Sequence, residues 1–445
     1  MTRSLLAAAC VRPVWSVGDG RVAGPDEDGF TLAVAALERV LGGVPTAFPG
    51  GFDQVDLVGE FPSDVETLVP SAFGWADIEV RRHPGGAGSV AQAIRNAAHA
   101  SGPGGSAVVA VDGGGTLDSA GHVEDAVAVA AAFGTGKGAT FLGASSRHHP
   151  PERRPDASQW IAAARRSAPD STESTKGVLG FAAPASPPVL LAEWARAFPN
   201  VKPVHLAWTP GASERGASAL PFVTAARAAH HAAAGDTIWA AAIRPERTDF
   251  LAFHVDAPVT WLGPFEPTGS GRPLPPTAAP DAPLPNMNAV SQGAYVPRAT
   301  YLENLAARWR FLGETCAACG AVTFPPRGRC DRCRATEGLS PIELPKSGLE
   351  VEAATVVAPG AQPTEFDGQV RALGPYAVVL ARLAPGVRAT LQVTDSEPGA
   401  AVIGARVDTV LRRLYSMEGS WRYGRKAIVV DTTGAPAPRP APSVP

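Results

Sequence analysis

The chain has 445 residues, of which 45% are hydrophobic, with a formal net charge of -3 and a pI near 6.3. This length and hydrophobicity exclude a disordered protein and allow two or three domains with sizeable cores. The charge excludes a global basic field that would attract nucleic acid or an anionic membrane. Five cysteines are too few for a disulfide scaffold, and no apolar run reaches the roughly 20 residues that span a bilayer, so we expect a soluble cytoplasmic protein.

The N-terminal sequence MTRSLLAAACVRPVW has two interpretations. An Arg followed by LLAAACV could be a secretory or lipoprotein signal that ends at Cys10. The apolar run 5–11 is short for such a signal, and no small-residue cleavage region follows it. We therefore interpret this run as a buried first strand in which Cys10 is a small apolar side chain.

Residues 3–256 alternate short apolar runs with helical stretches, beginning with LLAAACV, TLAVAALERVLGG, VDLVGE and SVAQAIRNAAHA. Strands separated by helices of about 10 to 15 residues pair in parallel and form a layered α/β domain. A second round of the same alternation runs from PVLLAEWARAF to FLAFHVD. The sequence therefore predicts one α/β domain built from two successive rounds.

The stretch RHPGGAGSVAQAIRNAAHAS, residues 82–101, turns on glycines and enters an Ala-rich helix. A joint of this kind often presents a nucleophile, yet residues 85–88 are Gly, Gly, Ala and Gly. Ser89 could supply a hydroxyl there, but we interpret it as the N-cap of the helix, a role that serine favours.

Residues 257 to about 297 are dense in Pro, Gly and Ser and predict a linker. A short amphipathic helix, YLENLAARWRFLGE, follows it. After Pro345 come alternating apolar runs, LEVEAATVV, YAVVLARL, VRATLQVT and ARVDTVLRRLY, which predict a small β-barrel. The tail GAPAPRPAPSVP is of low complexity, and we expect it to be disordered.

The segment CAACGAVTFPPRGRCDRC carries two C-x-x-C pairs, formed by Cys316, Cys319, Cys330 and Cys333. Two such pairs can place four thiolates around one ion, and soft sulfur ligands with no open position select structural zinc. A redox pair or a chance cluster is the competing interpretation. We expect a zinc ribbon in which the metal supports the fold rather than catalysis.

A ribbon followed by a barrel also occurs in nucleic-acid-binding proteins. Over residues 301–433, however, Lys and Arg exceed Asp and Glu by only 2, and the aromatic residues are scattered. The arginines between 327 and 334 are interpreted as a solvated face. The sequence argues against nucleic acid as a partner.

The order of features from YLENLAARWRFLGETCAACGAVTFPPRGRCDRC through GPYAVVLARLAPGVRATLQVTD to YGRKA resembles a known family. It is similar to the zinc-ribbon/OB-fold proteins that accompany thiolases and other enzymes that handle acyl-CoA. The resemblance covers residues 301 to about 428. It implies a rubredoxin-like zinc ribbon and an OB-fold barrel that binds acyl-CoA.

Residues 3 to about 256 resemble the thiolase fold, nearest the hydroxymethylglutaryl-CoA synthases. GPDEDGFTLAVAALERVL is similar to their DED-x-x-T-x-A helix entry. FGTGKGATFLGAS is similar to the glycine-rich strand entry that ends the first half, and AAGDTIWAAAIRPERTDFLAFHVD to the closing hairpin. This order of motifs implies a thiolase-like α-β-α domain, although shorter than is usual in that family.

The resemblance also implies that the catalytic apparatus is degraded. In the family, the joint before the third helix carries an acyl-accepting Cys, and here Gly85 occupies that nucleophile position. The closing hairpin reads IRPERTD, and ERGASALPF stands where the family has an Asn-bearing loop. His205 lies near the expected general base, although a lone His between apolar residues is usually structural. No catalytic residue is predicted firmly, and His205 is the fallback candidate.

The resemblance implies an accessory acyl-CoA-binding or scaffold subunit of a thiolase-type acyltransferase complex. The catalytic partner would be a Cys-bearing thiolase. The ligands would be structural Zn²⁺ and a coenzyme A thioester, and the assembly would be a homo- or hetero-oligomer. The alternative is a Cys-independent thiolase-fold enzyme, an acyltransferase or retro-aldolase acting on acyl-CoA. His205, Asp112, His122 and Asp249 would then have to serve as its acid and base groups.

The predicted fold class is α/β, with a thiolase-like layered α-β-α domain followed by a zinc ribbon and a small OB-fold β-barrel. The predicted boundaries are 1–256 for the thiolase-like domain, 257–300 for the linker, 301–344 for the helix and ribbon, 345–433 for the barrel and 434–445 for the tail.

Overall fold

The structure is a computed structural model, and it divides into two compact units. The first unit comprises Met1–Gly24, Asp28–Pro70 and Trp75–Pro273, and the second comprises Pro25–Glu27, Ser71–Gly74 and Leu274–Pro445. The structure describes residues 3–17, 20–44, 46–112, 126–148, 157–172, 175–183, 188–207, 219–243, 247–263, 272–273, 296–417 and 420–431. Three predicted segments lie outside these residues. They are the disordered tail, residues 214–218 of the loop ERGASALPF, and most of the linker.

Strands and helices alternate through the first unit, as the sequence predicts. The first round contains β1 (Ser4–Val11), β2 (Trp15–Val17), β3 (Gly20–Arg21), α1 (Gly29–Gly43), β4 (Phe52–Val58), α2 (Val65–Phe73), β5 (Glu79–His83), α3 (Ala87–His99), β6 (Gly105–Asp112) and β7 (Val127–Gly134). The second round contains β8 (Ala139–His148), α4 (Ala157–Ser167), β9 (Gly177–Ala183), α5 (Pro188–Ala197), β10 (Val201–Ala207), α6 (Leu220–His231), β11 (Thr237–Ile243) and β12 (Arg247–Val255). Two short strands follow, β13 (Thr260–Leu262) and β14 (Arg272–Pro273).

One large sheet joins the two rounds, in the order β10-β9-β11-β12-β8-β1-β7-β6-β4-β5. Each round contributes five neighbouring strands in the same spatial order, with the last strand of the round antiparallel to its neighbours. The rounds meet where β1 pairs antiparallel with β8. The sheet is therefore an internal duplication, which confirms the layered α/β fold.

The sheet is covered by helices on both faces. Along β11, Ile238 and Ala240 face a core cluster that includes residues of α3 and α6. The alternate residues, Trp239 and Ala241, face a second cluster formed with α4 and α5. Because successive strand residues point to opposite faces, this alternation places the sheet between two helical layers.

The first unit extends beyond the predicted boundary at residue 256. Strand β13 pairs in parallel with β1, and β14 pairs in parallel with β2. The Pro- and Gly-rich composition from residue 257 predicts a linker that includes the sequence Ala-Pro-Val-Thr-Trp-Leu. This segment forms a strand because its backbone pairs with β1.

The second unit consists of two short helices, a three-stranded sheet and a five-stranded barrel. Its elements are α7 (Arg298–Glu303), α8 (Leu305–Arg310), β15 (Leu312–Cys316), β16 (Val322–Thr323), β17 (Leu339–Glu343), β18 (Leu349–Val357), α9 (Asp367–Leu373), β19 (Tyr376–Ala384), β20 (Val387–Gln392), β21 (Arg406–Met417) and β22 (Ser420–Asp431). The barrel strands follow the order β20-β19-β18-β21-β22, and the bridge between Val393 and Ala427 joins the two ends. This arrangement confirms the predicted ribbon and small barrel.

The helix predicted over YLENLAARWRFLGE is interrupted. Asn304 separates α7 from α8, and Phe311 ends α8 in the left-handed conformation with φ of 53°. The next residues turn into β15, which pairs with β16 and β17. Leu312–Cys316 pairs with the strands of the ribbon and does not form the helical backbone hydrogen bonds that the apolar pattern predicts.

Candidate functional site

The four ribbon cysteines converge on one point. Their sulfur atoms all lie within 4.8 Å of one another, and the Cys316–Cys333 and Cys319–Cys330 sulfur pairs are each 3.6 Å apart. Four sulfurs at the corners of a tetrahedron, each about 2.3 Å from a zinc ion, would be separated by just under 4 Å. The donor set and its spacing therefore fit one structural zinc ion.

The two C-x-x-C turns have equivalent backbone geometry. In the first, the Cys316 N–H donates to the Ala321 carbonyl at 2.9 Å, and the Gly320 N–H donates to the Cys316 carbonyl at 2.8 Å. In the second, the Cys330 N–H donates to the Ala335 carbonyl at 2.9 Å, and the Arg334 N–H donates to the Cys330 carbonyl at 3.0 Å. The residue after the second cysteine of each turn is left-handed, with φ of 70° at Gly320 and 68° at Arg334.

These turns also supply hydrogen bonds to sulfur. The backbone N–H groups of Cys333 and Arg332 donate to the Cys330 sulfur and lower the pKa of that thiol. At Cys333 the lowering effect of the Ala335 N–H is outweighed by the neighbouring sulfurs, which raise its pKa. Cys316 and Cys330 are buried, whereas Cys333 is exposed. A thiol that ionises easily is a good metal ligand, because zinc binds the thiolate.

The glycine joint before α3 opens the helix without a side-chain cap. Gly86 is the N-cap, with φ of 106°, a value that favours glycine. Ser89 is the third residue of the helix, and its N–H donates to the Gly86 carbonyl at 3.1 Å. The interpretation of Ser89 as the N-cap is therefore wrong. Gly85 is exposed at the position where the resemblance places a nucleophile.

Cys10 lies inside the sheet and not in this joint. It belongs to β1, and only 1% of the residue is exposed. Burial raises the pKa of its thiol to about 11, so Cys10 remains protonated at neutral pH. It is a core side chain, as the sequence analysis expected, and its strand position removes it from the joint.

Two of the other sequence-derived acid and base candidates, Asp112 and Asp249, lie within the described residues. Asp112 ends β6 and accepts a hydrogen bond from the Ala219 N–H at 2.9 Å, which ties β6 to the start of α6. Asp249 is buried in β12. His205 belongs to β10, but its side chain lies outside the described part of the chain, as does the whole of His122.

A polar cluster that the sequence analysis missed lies beside the joint. Nε2 of His83, the last residue of β5, is 2.6 Å from Oδ1 of Asp56 in β4. The same carboxylate accepts from Asn96 of α3 at 3.2 Å and from Gln54 of β4. Asp56 is fully buried, whereas 15% of the His83 side chain is exposed. An Asp inside the apolar run VDLV was the signal in the sequence, because a buried carboxylate requires partners.

The DED motif contributes two buried carboxylates to the second unit. The Asp26 carboxylate lies 2.9 Å from Lys426 Nζ and accepts from the Thr394 hydroxyl at 2.9 Å. The Glu27 carboxylate lies 2.9 Å from Arg412. Burial favours a raised pKa for Asp26, but Lys426 and Arg412 outweigh it, and the pKa is lowered from its ordinary value. Asp26 is therefore a structural anion.

Comparison with known proteins identifies the ribbon and the family. Residues 304–337 match the model of the ChsH2 rubredoxin-like zinc ribbon domain. A DUF35 domain-containing scaffold protein from Methanocaldococcus jannaschii is 33% identical over 121 residues, which are 27% of this chain and 81% of that protein. The chain therefore belongs to the family of DUF35 domain-containing proteins.

Two solved structures with partial similarity are a β-ketosynthase and a hydroxymethylglutaryl synthase. The priming β-ketosynthase of the R1128 polyketide pathway has a TM-score of 0.43 and 15% identity, over 58% of this chain and 97% of its own. The hydroxymethylglutaryl (HMG) synthase of the curacin pathway has a TM-score of 0.42 and 12% identity, over 57% of this chain and 80% of its own. Similarity at this level assigns no residue a role.

The length and the apolar character of a helix determine whether it can cross a membrane. None of them, within the part of the chain that the structure describes, combines the length and apolar character needed to cross a bilayer.

Proposed function

We propose that this chain is an accessory scaffold subunit of a thiolase-type acyltransferase complex and that it binds acyl-CoA. The observation that carries the proposal is that the joint before α3 contains no Cys, and the resemblance implies that Gly85 occupies the position of an acyl-accepting one. Without that thiolate the acyl-enzyme route is closed, because no covalent intermediate can form there. The condensation chemistry would come from a partner that retains its Cys.

The second unit supports a scaffolding role. Its ribbon holds four cysteines in a closed set suited to zinc, and such a site stabilises a fold and leaves no position for a substrate. The relative from Methanocaldococcus jannaschii is a DUF35 domain-containing scaffold protein, and this chain shares its family. In the proposed complex, Cys316, Cys319, Cys330 and Cys333 would bind the zinc ion and keep the ribbon folded beside the barrel.

The partner would be a Cys-bearing thiolase subunit. The small-molecule ligand would be a coenzyme A thioester. The duplicated α/β unit would contribute assembly surface, because its glycine joint keeps the shape of the family's joint without its nucleophile. A homo- or hetero-oligomer is expected for the complex, since the thiolase fold that the sequence resembles functions through large two-fold interfaces.

Acyl transfer to the protein tests the absence of covalent chemistry. The purified chain is incubated with radiolabelled acetyl-CoA, quenched in acid, and analysed for protein-bound label beside a Cys-bearing thiolase as a positive control. We expect no acid-stable acyl adduct on this chain, together with reversible binding of a thioether analogue of acetyl-CoA by calorimetry. A stoichiometric acyl adduct on the first unit, or no binding of the analogue to the chain or its complex, would contradict the proposal.

A further inference from the structure

We propose that His83 and Asp56 form a general-base pair that activates water against an acyl thioester at the glycine joint. The inference takes its substrate class, acyl-CoA, from the proposed function and rests on it to that extent. It adds a slow thioester hydrolysis, a catalytic activity that a scaffold would not need. His83 is the catalytic residue of this pair, and Asp56 positions it.

The position of His83 is the first argument. His83 ends β5, and Gly85, the exposed residue at the presumed nucleophile position, follows two residues later. His83 therefore immediately precedes, along the chain, the joint where the sequence resemblance implies acyl chemistry. Its 15% exposed side chain is accessible enough to meet a small reactant.

The hydrogen bonding of His83 is the second argument. A carboxylate can only accept a hydrogen bond, so the 2.6 Å contact assigns the proton to Nε2 of His83. The other ring nitrogen, Nδ1, is then the basic one. Among the described residues, no other side-chain hydrogen bond or ion pair involves His83. A nucleophile or base oriented by a third group is the arrangement that activates water and hydroxyls in hydrolases.

The environment of Asp56 is the third argument. Gln54 and Asn96 also donate to its carboxylate, so the anion is held in one orientation by three neighbours. Arg81, paired with Glu79 on the same strand as His83, is the nearby cation that interacts with Asp56. A fixed, buried carboxylate stabilises the imidazolium that forms when His83 accepts a proton.

The chemistry balances with water as the only co-reactant. Nδ1 of His83 takes a proton from water as the water oxygen bonds to the thioester carbonyl carbon. The C–S bond then breaks, the CoA thiolate leaves, and the imidazolium returns its proton to that sulfur. The products are a carboxylic acid and free CoA. No side chain caps the described start of α3, and the backbone N–H groups at a helix N terminus stabilise negative charge of the kind that develops on the carbonyl oxygen.

A structural role for the pair is the competing explanation, and one substitution separates the two. In His83→Gln, the amide can still donate to Asp56 and tie β5 to β4, but it cannot act as a base. Asp56→Asn keeps the shape of the side chain and removes the charge that stabilises the imidazolium. His99→Gln, at the exposed C-terminal end of α3, is the matched control.

The experiment measures acetate and CoA released from acetyl-CoA by chromatography, with full-length proteins. We expect wild-type protein and His99→Gln to hydrolyse acetyl-CoA faster than buffer, and His83→Gln to lose about 10²- to 10⁴-fold of that rate. Asp56→Asn should also lower the rate, because the charge that stabilises the imidazolium is removed.

Two outcomes would overturn the inference: a wild-type rate equal to buffer, or full hydrolysis by folded His83→Gln. If His83→Gln fails to fold by circular dichroism, Asp56→Asn decides, and a wild-type rate in folded Asp56→Asn overturns the inference. Binding of the thioether analogue is measured on the same samples. An analogue that binds without any hydrolysis of acetyl-CoA defeats this inference alone and leaves the scaffold proposal intact.

Discussion

The hydroxyl group of Tyr301 closes a two-way hydrogen bond with the backbone of Tyr423. Tyr301 Oη donates to the Tyr423 carbonyl at 3.2 Å and accepts from the Tyr423 N–H at 2.8 Å. The indole of Trp309 donates to the same carbonyl at 2.9 Å. All three residues are buried, and through them α7 and α8 are fixed to the barrel strand β22.

Removing the Tyr301 hydroxyl should therefore loosen the two helices from the barrel. Tyr301→Phe leaves the buried Tyr423 N–H without its acceptor, and we expect a loss of about 1 to 3 kcal/mol in the free energy of unfolding. Calorimetry of the full chain measures it. Tyr415→Phe is the control, because within the described part of the chain the Tyr415 hydroxyl accepts only a long 3.4 Å bond from the Val296 N–H, and we expect a smaller loss. Equal losses in the two variants would contradict the assignment.

The same tyrosine should make the second unit sensitive to alkali. Burial raises the pKa of Tyr301 above its ordinary value of about 10, so the folded state keeps the proton that the unfolded state releases. The stability contributed by Tyr301 is present below pH 10 and is lost as the pH rises above it. Unfolding measured from pH 8 to 11 should show a steeper decline for wild-type protein than for Tyr301→Phe. Parallel declines would contradict this account.

Substituting only one partner of the Asp26–Lys426 pair should strongly lower the free energy of unfolding. Asp26→Asn leaves the Lys426 ammonium buried without its counter-charge, and we expect about 3 to 5 kcal/mol of destabilisation. The double variant Asp26→Asn with Lys426→Met should recover part of that loss, because the buried cation is removed too. A double variant as unstable as Asp26→Asn alone would argue against the pair.

The pH dependence of this pair has the opposite sign to that of Tyr301. Because the pKa of Asp26 is lowered in the folded state, its contribution is present above the unfolded value of about 3.9. That contribution is lost as the pH falls below this value and through the folded pKa. Acid unfolding of wild-type protein should begin below pH 4, and Asp26→Asn should show a weaker pH dependence there.

Zinc should be bound in a 1:1 ratio and be required for the ribbon. We expect native mass spectrometry to find one zinc ion per chain, and Cys330→Ser to lose the zinc and unfold the ribbon. Cys10→Ser is the control, since Cys10 is a buried residue of β1 and is not one of the four ribbon thiols. Full zinc content in Cys330→Ser, or none in the wild-type protein, would contradict the site.

The two zinc turns allow a comparison of glycine with arginine at equivalent positions. Gly320 and Arg334 have left-handed backbones with φ of 70° and 68°, a conformation that costs a residue with a side chain about 1 to 2 kcal/mol. Arg334→Gly should therefore raise the temperature at which zinc is released, and Gly320→Ala should lower it. The opposite order would show that the exposed Arg334 side chain contributes more than its backbone costs.

The sequence predicted the features that depend on residues close together along the chain. The Cys316–Cys319 and Cys330–Cys333 spacings define two short turns, and each forms within six residues of chain. The alternation of strands and helices over 3–256 likewise follows from local hydrophobic periods, and the structure confirms it as a duplicated sheet. The layered α/β class was predictable for the same reason.

What the sequence missed depends on partners distant along the chain. Asp56 and His83 are 27 residues apart and meet only because β4 and β5 pair in parallel. Asp26 and Lys426 are separated by 400 residues, so nothing near the DED motif indicated its cationic partner. The cap of α3 was assigned to Ser89 from residue preference, whereas the positive φ of Gly86 determines where that helix begins.

The central claim is that this chain supports a catalytic partner. The most direct test is affinity purification of the tagged protein from its native host, with mass spectrometry of the co-eluting proteins and an assay of acyl-CoA condensation. We expect a stoichiometric Cys-bearing thiolase whose activity falls when this chain is removed and returns when it is added back, including as His83→Gln. A chain that purifies alone, or a thiolase whose activity is indifferent to it, would contradict the account.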